Sequence, residues 1–355
     1  MRLLVTSSRR SGRRSRLRSL AGAHRQVLAR GAVVTIAVLL VGFAFTASYV
    51  GGLHKPSFHG VPLAAAGPKS LLTRLGAGGA FTVHPVKSRV EAVRRIDDRH
   101  DLGAVLATPQ GVDVLNAQAA GVSVANALQK LPAQLAAATG HPLRASVVDV
   151  KPLPASDPTG VTPFYLVLSV VVSNFIAAAL FGMVFGQKIV GRAIRSRLFG
   201  CGVIALVLAL AQVGIVLAIG ALSGHYVPLV LAALLLGFGT ASVAIGLQAL
   251  LGPAGGAISM MVYVVLGNPA SGVAFPSQLL PGLWRWLGPY LPAGAGLNLV
   301  KGIVYFGGND TATPALILGA WLALGLGSAG LASHRTRTRA VSDAPVISEA
   351  QAEAA

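Results

Sequence analysis

The amino-acid sequence predicts an α-helical polytopic membrane protein with six transmembrane helices and an extracytoplasmic α/β domain between the first and the second helix. Of the 355 residues, 54% are hydrophobic and only 11% are charged, and the mean hydropathy is +0.68. This composition excludes a soluble globular protein. The interval from Leu198 to Trp284 contains no Asp, Glu, Lys or Arg, as expected for consecutive spans. Residues 51–162, in contrast, have the composition of an ordinary folded domain.

Six apolar runs are candidates for the spans, since a helix needs about 20 residues to cross a hydrocarbon core of about 30 Å. They are Gly31–Val50, Phe164–Phe185, Leu198–Leu222, Val227–Leu251, a run that begins at Ala254, and Thr313–Ser333. The first run could also be a secretory signal, but its length and its long basic flank favour a retained span. The predicted organisation is therefore a basic tail (1–30), helix 1 (31–50), the α/β domain (51–162), a five-helix domain (163–333) and a second tail (334–355).

The distribution of positive charge predicts the orientation, because short cytoplasmic loops are enriched in Lys and Arg. Residues 1–30 hold nine Arg and no acid, and further basic clusters occupy residues 188–197 and 335–339. With six spans, all three clusters fall on the cytoplasmic side together with both termini. The excess of Arg over Lys, with much Ala and Gly, suggests a GC-rich bacterial genome. The predicted location is therefore the bacterial cytoplasmic (inner) membrane. Because the net charge of +18 lies mostly in these flanks, no nucleic-acid surface is expected.

Residues 51–162 show short strand patterns interleaved with two helical faces. The predicted strands are Val61–Ala66, Phe81–Pro85, Leu102–Thr108, Val112–Ala117 and Ala145–Leu153. The helical faces consist of Val90, Val93 and Ile96, and of Val124, Leu128, Leu131 and Leu135. A group of acids and histidine at 97–101 is interpreted as a solvated helix end, and the scattered histidines as exposed residues, so no metal site is expected.

The sequence carries none of the common catalytic or nucleotide-binding motifs. No Lys follows a Gly, so a phosphate-binding P-loop is excluded, and neither G-x-S-x-G nor H-E-x-x-H occurs. We therefore expect no enzyme activity, no catalytic residue and no cofactor. The predicted spans contain no ionisable residue, which argues against an ion-coupled transporter. Asn174 and Gln248 are candidates for lining a path, although bridging between helices is the commoner role of such residues.

Two basic stretches alternate with apolar residues at helical spacing. In residues 187–197, Ile189, Ala193 and Ile194 can share one face of a short interfacial helix. The opposite face then presents its basic residues to lipid phosphate or to a partner protein; these are Lys188, Arg192, Arg195 and Arg197. Simple positive-inside anchoring is the alternative. The tail of residues 1–30 shows a similar pattern and predicts a second helix lying on the inner leaflet.

Residues 268–306 predict a break in the fifth span. Pro269 lacks a backbone donor, and the residue before a proline resists helix. Ala254 to Leu266 alone is too short to cross the bilayer. The chain is therefore expected to continue as re-entrant outer pieces, packed against protein or a wet cavity. A Pro-rich outer loop anchored by Trp284, Trp286 and Tyr290 is the alternative.

This stretch resembles the end signature of the type-2 ABC exporter permease superfamily, with the YhgE/Pip-like membrane proteins as the branch it is most similar to. The residues that carry the resemblance are Asn268, Pro269, Ser271, Gly272, Phe275, Pro276, Leu279, Leu280, Pro281, Arg285, Leu291, Pro292 and Tyr305. The layout of one span, a large outer domain and five further spans extends the resemblance over about residues 20–335.

The resemblance implies that residues 268–305 form re-entrant outer helices. It also implies that residues 188–197 act as a coupling helix that touches a separate ABC ATPase subunit. Two functional hypotheses follow. The first is a permease, a homodimer in the lipid bilayer, that exports an amphiphilic or envelope-related substrate. The second is a non-transporting surface protein whose outer domain binds a partner, such as an envelope assembly factor or a phage attachment protein.

Overall fold

The computed structural model describes residues 28, 31–32, 35–139, 144–185 and 191–352, with residues 138–139, 191 and 336–352 described by their backbone only. The described chain is mostly helical. Five helices are long and apolar enough to cross a membrane: Thr35–Leu53 (α1), Thr162–Phe185 (within α5), Arg192–Ala218 (within α6), Tyr226–Leu251 (α7) and Ala312–Arg335 (within α12). The chain divides into two units, residues 1–48 and 49–355. The predicted basic tail lies almost wholly outside the described residues, and Lys188 lies outside them too.

A small mixed sheet forms the sheet domain, defined as residues 57–139 and 144–161. Its strands are β1 (Val61–Ala66), β2 (Phe81–Pro85), β3 (Gly103–Thr108), β4 (Gly111–Asn116) and β5 (Ala145–Asp149), in the order β2-β1-β3-β4-β5. Only β3 and β4 pair in antiparallel fashion. Helices α2 (Lys69–Gly76), α3 (Arg89–Asp97) and α4 (Val122–Thr139) complete the domain. The predicted strands are confirmed, with β1 and β2 at the predicted bounds.

Both faces of β1 are buried, as is usual for a parallel strand covered by helices. Val61 and Leu63 pack in a core with Val124 and Leu128 of α4. Ala64 faces the other way, into a core with Ile96 of α3. The predicted helical face on α3 is wrong at one position, since Val90 is 79% exposed. Ser88 caps α3 by accepting a hydrogen bond from the Glu91 amide, which places Val90 in the first turn, outside the core.

The predicted solvated helix end at residues 97–101 is also wrong in part. Asp101 is fully buried, and its carboxylate accepts a hydrogen bond from Arg95 Nε and lies 2.6 Å from His84 Nδ1. A buried carboxylate is tolerated because both its oxygens are paired. Among the described residues no group of His, Cys, Asp and Glu is arranged to hold a metal ion.

The helical bundle is built around α7, the most buried of the five candidate spans. It packs against α5 (Thr162–Phe185), α6 (Gly191–Ala218) and α12 (Ala312–Ala352). Small residues permit the close approach of α7 and α12. A Cβ at Gly246 would collide with the Ser328 hydroxyl, and one at Gly325 would lie 2.5 Å from the Val243 amide nitrogen. Helix α12 also continues past the predicted end of the last span, through most of the predicted tail, to Ala352.

The predicted break before Pro269 is wrong. The segment predicted as the fifth span is one helical stretch over residues 253–270, which consists of α8 (Pro253–Met260), a π-helical turn (Met261–Leu266) and α9 (Gly267–Ala270). Pro269 lies inside it. In an i→i+5 pattern the carbonyl left without a donor belongs to Val264, and the Tyr49 hydroxyl lies 3.5 Å from that oxygen. The π-helical turn thus accommodates the proline.

The helix ends at Ala270 instead, and Gly272 follows with a φ of 88°. Residues 271–291, here called the connecting segment, then contain α10 (Gly282–Leu287) and two short 3₁₀ turns before α11 (Pro292–Tyr305). The connecting segment is packed against protein, since Leu280 is fully buried. This packing satisfies the condition under which irregular backbone survives at membrane depth.

The close approach of α7 and α12 generates a stability prediction. We expect Gly325→Ala to lower the free energy of unfolding by about 1–3 kcal/mol, because the new methyl group overpacks backbone that cannot move aside. A Cβ at Gly327, two residues away, meets no atom within 4 Å. Gly327→Ala should therefore raise the stability by up to about 1 kcal/mol through helix propensity alone. Thermal unfolding in detergent measures both, and a Gly325→Ala protein as stable as the wild type would contradict the packing.

Candidate functional site

A cavity of about 260 Å³ lies where the sheet domain, the connecting segment, α11 and the first two turns of α12 meet. We call it the junction cavity. Its lining includes Arg99, Ala270, Ser271, Gly272, Pro276, Ser277, Gln278, Asn298, Lys301, Asp310 and Ile317. A second cavity of about 280 Å³ adjoins it and shares Ala119, Gly272, Pro276 and Lys301. The predicted outer motif therefore contributes three of its residues, Ser271, Gly272 and Pro276, to a polar cavity wall.

The sheet domain and the connecting segment share one hydrophobic core. Leu279 is 3% exposed and packs with the core residues of β1 and α4, and Phe275 packs against the same cluster. The amides of Ser57 and His59 donate hydrogen bonds to the carbonyls of Leu279 (3.1 Å) and Gln278 (3.1 Å). The wall of the junction cavity is thus continuous from the sheet domain into the connecting segment.

Arg99 ties the sheet domain to α11. Its two terminal nitrogens donate to the backbone and side-chain oxygens of Asn298, both at 3.0 Å, and its guanidinium lies 5.4 Å from the centre of the Phe306 ring. Asp310 lies 3.8 Å away. Burial lowers the pKa of Arg99, and Asp310 opposes this effect. The residue has a φ of 60°, a conformation that costs a non-glycine residue about 1–3 kcal/mol and that directs its side chain to α11.

Lys301 lines both cavities from α11. It is partly buried and forms no hydrogen bond or ion pair within the described part of the chain. Burial lowers the pKa of its amine to about 8, Arg99 lowers it as well, and Asp157 opposes both. Asp157 is engaged elsewhere, because it accepts hydrogen bonds from the amides of Val161 and Thr162.

Asp157 also accepts a hydrogen bond from the Tyr305 hydroxyl at 3.1 Å. Burial, and then the carboxylate, raise the pKa of Tyr305. Asp157 is 3% exposed, so these three donors offset the cost of its burial. These hydrogen bonds hold the start of α5 against the end of α11. Lys301 is therefore the cation of the cavity lining that has no direct partner among the described residues.

The remaining residues of the predicted outer motif do not line the junction cavity. Asn268 and Pro269 lie in α9, where the Asn268 carbonyl accepts from the Ser271 hydroxyl at 2.7 Å. Pro281 precedes α10, and Arg285 lies in its last turn, away from the junction cavity.

The prediction of a separate short helix at residues 187–197 is wrong for residues 192–197. Arg192, Arg195 and Arg197 do not form a separate short helix, because α6 runs without interruption from Gly191 to Ala218. Arg192 and Arg195 are exposed while Ile194 is buried, as the spacing predicts. Arg197 is fully buried inside the bundle. It directly precedes the predicted third span, and the membrane-length part of α6 begins earlier than predicted, at Arg192.

Arg197 joins three helices. Its Nη2 donates to Gln248 Oε1 of α7 at 2.7 Å and to the Ala178 carbonyl of α5 at 3.2 Å. Its Nε and Nη1 have no hydrogen-bond partner among the described residues. A Cβ at Gly182 would lie 2.8 Å from Gln248 Oε1 and 3.1 Å from Arg197 Nη2, so this glycine gives the pair its space.

The two residues predicted to line a path do not line the cavities described above. Gln248 is bound to Arg197. Asn174 is buried, and its Nδ2 donates to the Val170 carbonyl of its own helix at 2.9 Å. Its side chain fills the space above Gly237 of α7. Their path-lining role stays a prediction.

Sequence reasoning missed Lys301, although a signal was present. Lys301 is the single charged residue between Arg285 and Asp310, and an isolated charge in an apolar run is a functional candidate.

No protein-family model, no curated protein and no solved structure matches the chain.

The Arg197–Gln248 pair generates a second prediction. We expect Gln248→Leu to lower the free energy of unfolding by about 2–5 kcal/mol, because it leaves a buried guanidinium with fewer acceptors. The double variant Arg197→Met/Gln248→Leu should be more stable than Gln248→Leu alone, since both partners are then apolar. Thermal unfolding of the wild type, both single variants and the double variant gives the coupling energy. Additive effects would contradict the pairing.

Proposed function

We propose that this protein is the membrane permease subunit of an ABC-type exporter, which moves an amphiphilic or envelope-related substrate with energy from a separate ATPase. In this proposal the helical stretch 253–270 counts with the five long helices, and the connecting segment is the re-entrant outer piece. The sheet domain then lies outside the cytoplasmic membrane, and both termini lie in the cytoplasm. The positive-inside distribution of Arg and Lys supports this orientation.

The observation that carries the proposal is the junction cavity. It lies at the N-terminal end of the membrane-length helix α12, yet the sheet domain supplies part of its wall through Arg99, and the connecting segment supplies another part through Gln278. A domain that only displayed a binding surface could be attached by a linker and would need no shared cavity with the helices. The shared core and the Arg99–Asn298 hydrogen bonds favour a domain whose position depends on the helices beneath it.

A coupling route is available at the opposite ends of α5 and α6. Arg192 and Arg195 are exposed in the first turns of α6, and the buried Arg197 follows them within the next turn and a half. A partner that binds these two arginines would shift α6, and the hydrogen bonds of Arg197 to α5 and α7 would carry the shift into the bundle. Helix α7 packs in turn against α11, which lines the junction cavity.

We further propose that two copies pair in the membrane. The apolar residues exposed along α6, which include Phe199, Val203 and Leu206, offer a face for a second copy. The surface-protein hypothesis remains the alternative, with the outer face of the sheet domain as its binding surface.

The test is purification in mild detergent followed by mass spectrometry of the proteins that remain bound. We expect wild type to retain an ATPase subunit and the Arg192→Gln/Arg195→Gln variant to retain about tenfold less, equivalent to about 1.4 kcal/mol for two exposed charge contacts. Arg197 is left unchanged because it is buried. The control Arg94→Gln/Arg144→Gln removes two exposed arginines from the sheet domain and should retain the ATPase.

Reconstitution of the retained ATPase with the protein should then produce ATP-dependent movement of a fluorescent amphiphile across the vesicle membrane. Recovery of no ATPase with wild type, or of equal amounts with both variants, would contradict the coupling proposal. Recovery of an envelope protein through the sheet domain in its place would favour the surface-protein alternative.

A further inference from the structure

We propose that the junction cavity is a binding site for a phosphate-type anion, and that this anion is the headgroup of an acidic membrane lipid. This inference rests on the proposed function, for which it names a substrate class. It is carried by Lys301, by the neutral hydrogen-bond donor of Gln278 in the same lining and by the depth at which the cavity lies.

The charges that face the cavity leave one cation available. The charged residues of its lining are Arg99, Lys301 and Asp310. Arg99 is engaged with Asn298 and lies 3.8 Å from Asp310. Asp310 is 47% exposed, so water weakens its field. Lys301 has no direct partner within the described residues, and in the adjoining cavity it is the one charged residue of the lining. An anion that reached Lys301 would meet an uncompensated ammonium group.

The nearest acid outside the lining does not fill this role. Asp157 influences the amine of Lys301 from a distance and forms no ion pair with it. Its oxygens already accept three hydrogen bonds, from the amides of Val161 and Thr162 and from the Tyr305 hydroxyl. Asp157 therefore holds α5 and α11 in place, and Lys301 remains free to bind an anion.

A neutral donor faces the same space. Ser277 donates its hydroxyl to Gln278 Oε1 at 3.3 Å, which leaves the amide nitrogen of Gln278 as a donor at the cavity wall. Gly272, with a φ of 88°, brings backbone to the wall without a side chain. An ammonium group and an amide donor in one cavity wall suit a phosphate, whose oxygens accept several hydrogen bonds.

The depth of the cavity favours a lipid as the source of the phosphate. Its lining includes Ala270, where the helical stretch 253–270 ends, and Ile317 in the second turn of a membrane-length helix. Trp286 and Tyr290 of the connecting segment are 68% and 57% exposed and form a ring pair 6.4 Å apart. Exposed Trp and Tyr mark the headgroup level of a bilayer.

The size of the cavity agrees with a headgroup. Sites that enclose a whole drug-sized ligand measure about 300–1,000 Å³, whereas the junction cavity measures about 260 Å³. A phosphate and its glycerol fit this space while the acyl chains remain among the apolar side chains of the spans. The cavity would then hold an amphiphile at the point where it leaves the bilayer.

The first test measures binding of dioctanoyl phosphatidic acid to the full-length protein in detergent by native mass spectrometry. We expect Lys301→Gln to weaken binding at least about tenfold, the usual cost of losing a charged hydrogen-bond partner. Lys130→Gln, an exposed lysine of α4, is the matched control and should bind as wild type does. Inorganic phosphate is titrated in parallel. Lys301-dependent binding of the lipid and not of phosphate supports the proposal, and equal competition by free phosphate would overturn the lipid assignment.

A second measurement needs no variant and therefore does not depend on the folding of Lys301→Gln. The wild-type protein is treated with an amine-acetylating reagent, and the modification of each lysine is quantified by mass spectrometry. Dioctanoyl phosphatidic acid should protect Lys301 several-fold and leave Lys130 unchanged. Equal modification of Lys301 with and without the lipid would overturn the site. Because neither assay requires an ATPase or transport, failure here leaves the permease proposal standing, and failure of transport leaves the site standing.

Discussion

Leu279 lies in the hydrophobic core of the sheet domain although it belongs to the connecting segment between the helical stretch 253–270 and α11. A buried leucine contributes about 1.5–3 kcal/mol through the apolar area that it removes from water, so neither part reaches its full stability without the other. The backbone hydrogen bonds from Ser57 and His59 fix the register of this contact. The irregular chain after Ala270 persists because the sheet domain covers it.

The junction cavity is a consequence of that contact. With the connecting segment held against the sheet domain, Arg99 can reach Asn298 of α11, and the junction cavity lies between these parts. Lys301 lines this cavity and forms no ion pair within the described residues. At the other end of α5 and α6, Arg197 joins three helices in the same way, through one guanidinium and the acceptors Gln248 and Ala178. Polar contacts thus join the helices at both ends of the bundle, and apolar, closely packed segments lie between these two groups of contacts.

The elements that could be predicted from the sequence are those with a strong local pattern. Strands β1 and β2 follow from alternating or continuous apolar runs bounded by turns. Five of the six predicted spans coincide with the membrane-length parts of α1, α5, α6, α7 and α12. The fifth run is the exception, since it forms the helical stretch 253–270. The break predicted before Pro269 is wrong because local rules treat proline as a helix breaker. In the structure a π-helical turn precedes Pro269, and the helix continues through it.

The features of the candidate site that could not be predicted depend on tertiary contacts. Arg197 has the same local context as the exposed Arg195, and only the position of Gln248 and Gly182 makes its burial possible. The contact between Leu279 and β1 joins residues more than 200 positions apart, as their numbers show, and no periodicity encodes it. The sequence draws attention to the residues of the predicted outer motif. It does not show that Ser271, Gly272 and Pro276 line the cavity while Phe275 packs against the core.

The most direct test of the shared core is hydrogen–deuterium exchange of the full chain carrying Leu279→Ala. If the sheet domain depends on the connecting segment, this change costs about 2–5 kcal/mol, and the amides of Val61–Ala66 and of the described part of α4 should exchange at least about tenfold faster. The control is Leu283→Ala in α10, where the side chain is 55% exposed, and its exchange should match that of the wild type. Unchanged protection of β1 and α4 in Leu279→Ala would show that the sheet domain folds without the connecting segment and would contradict the account.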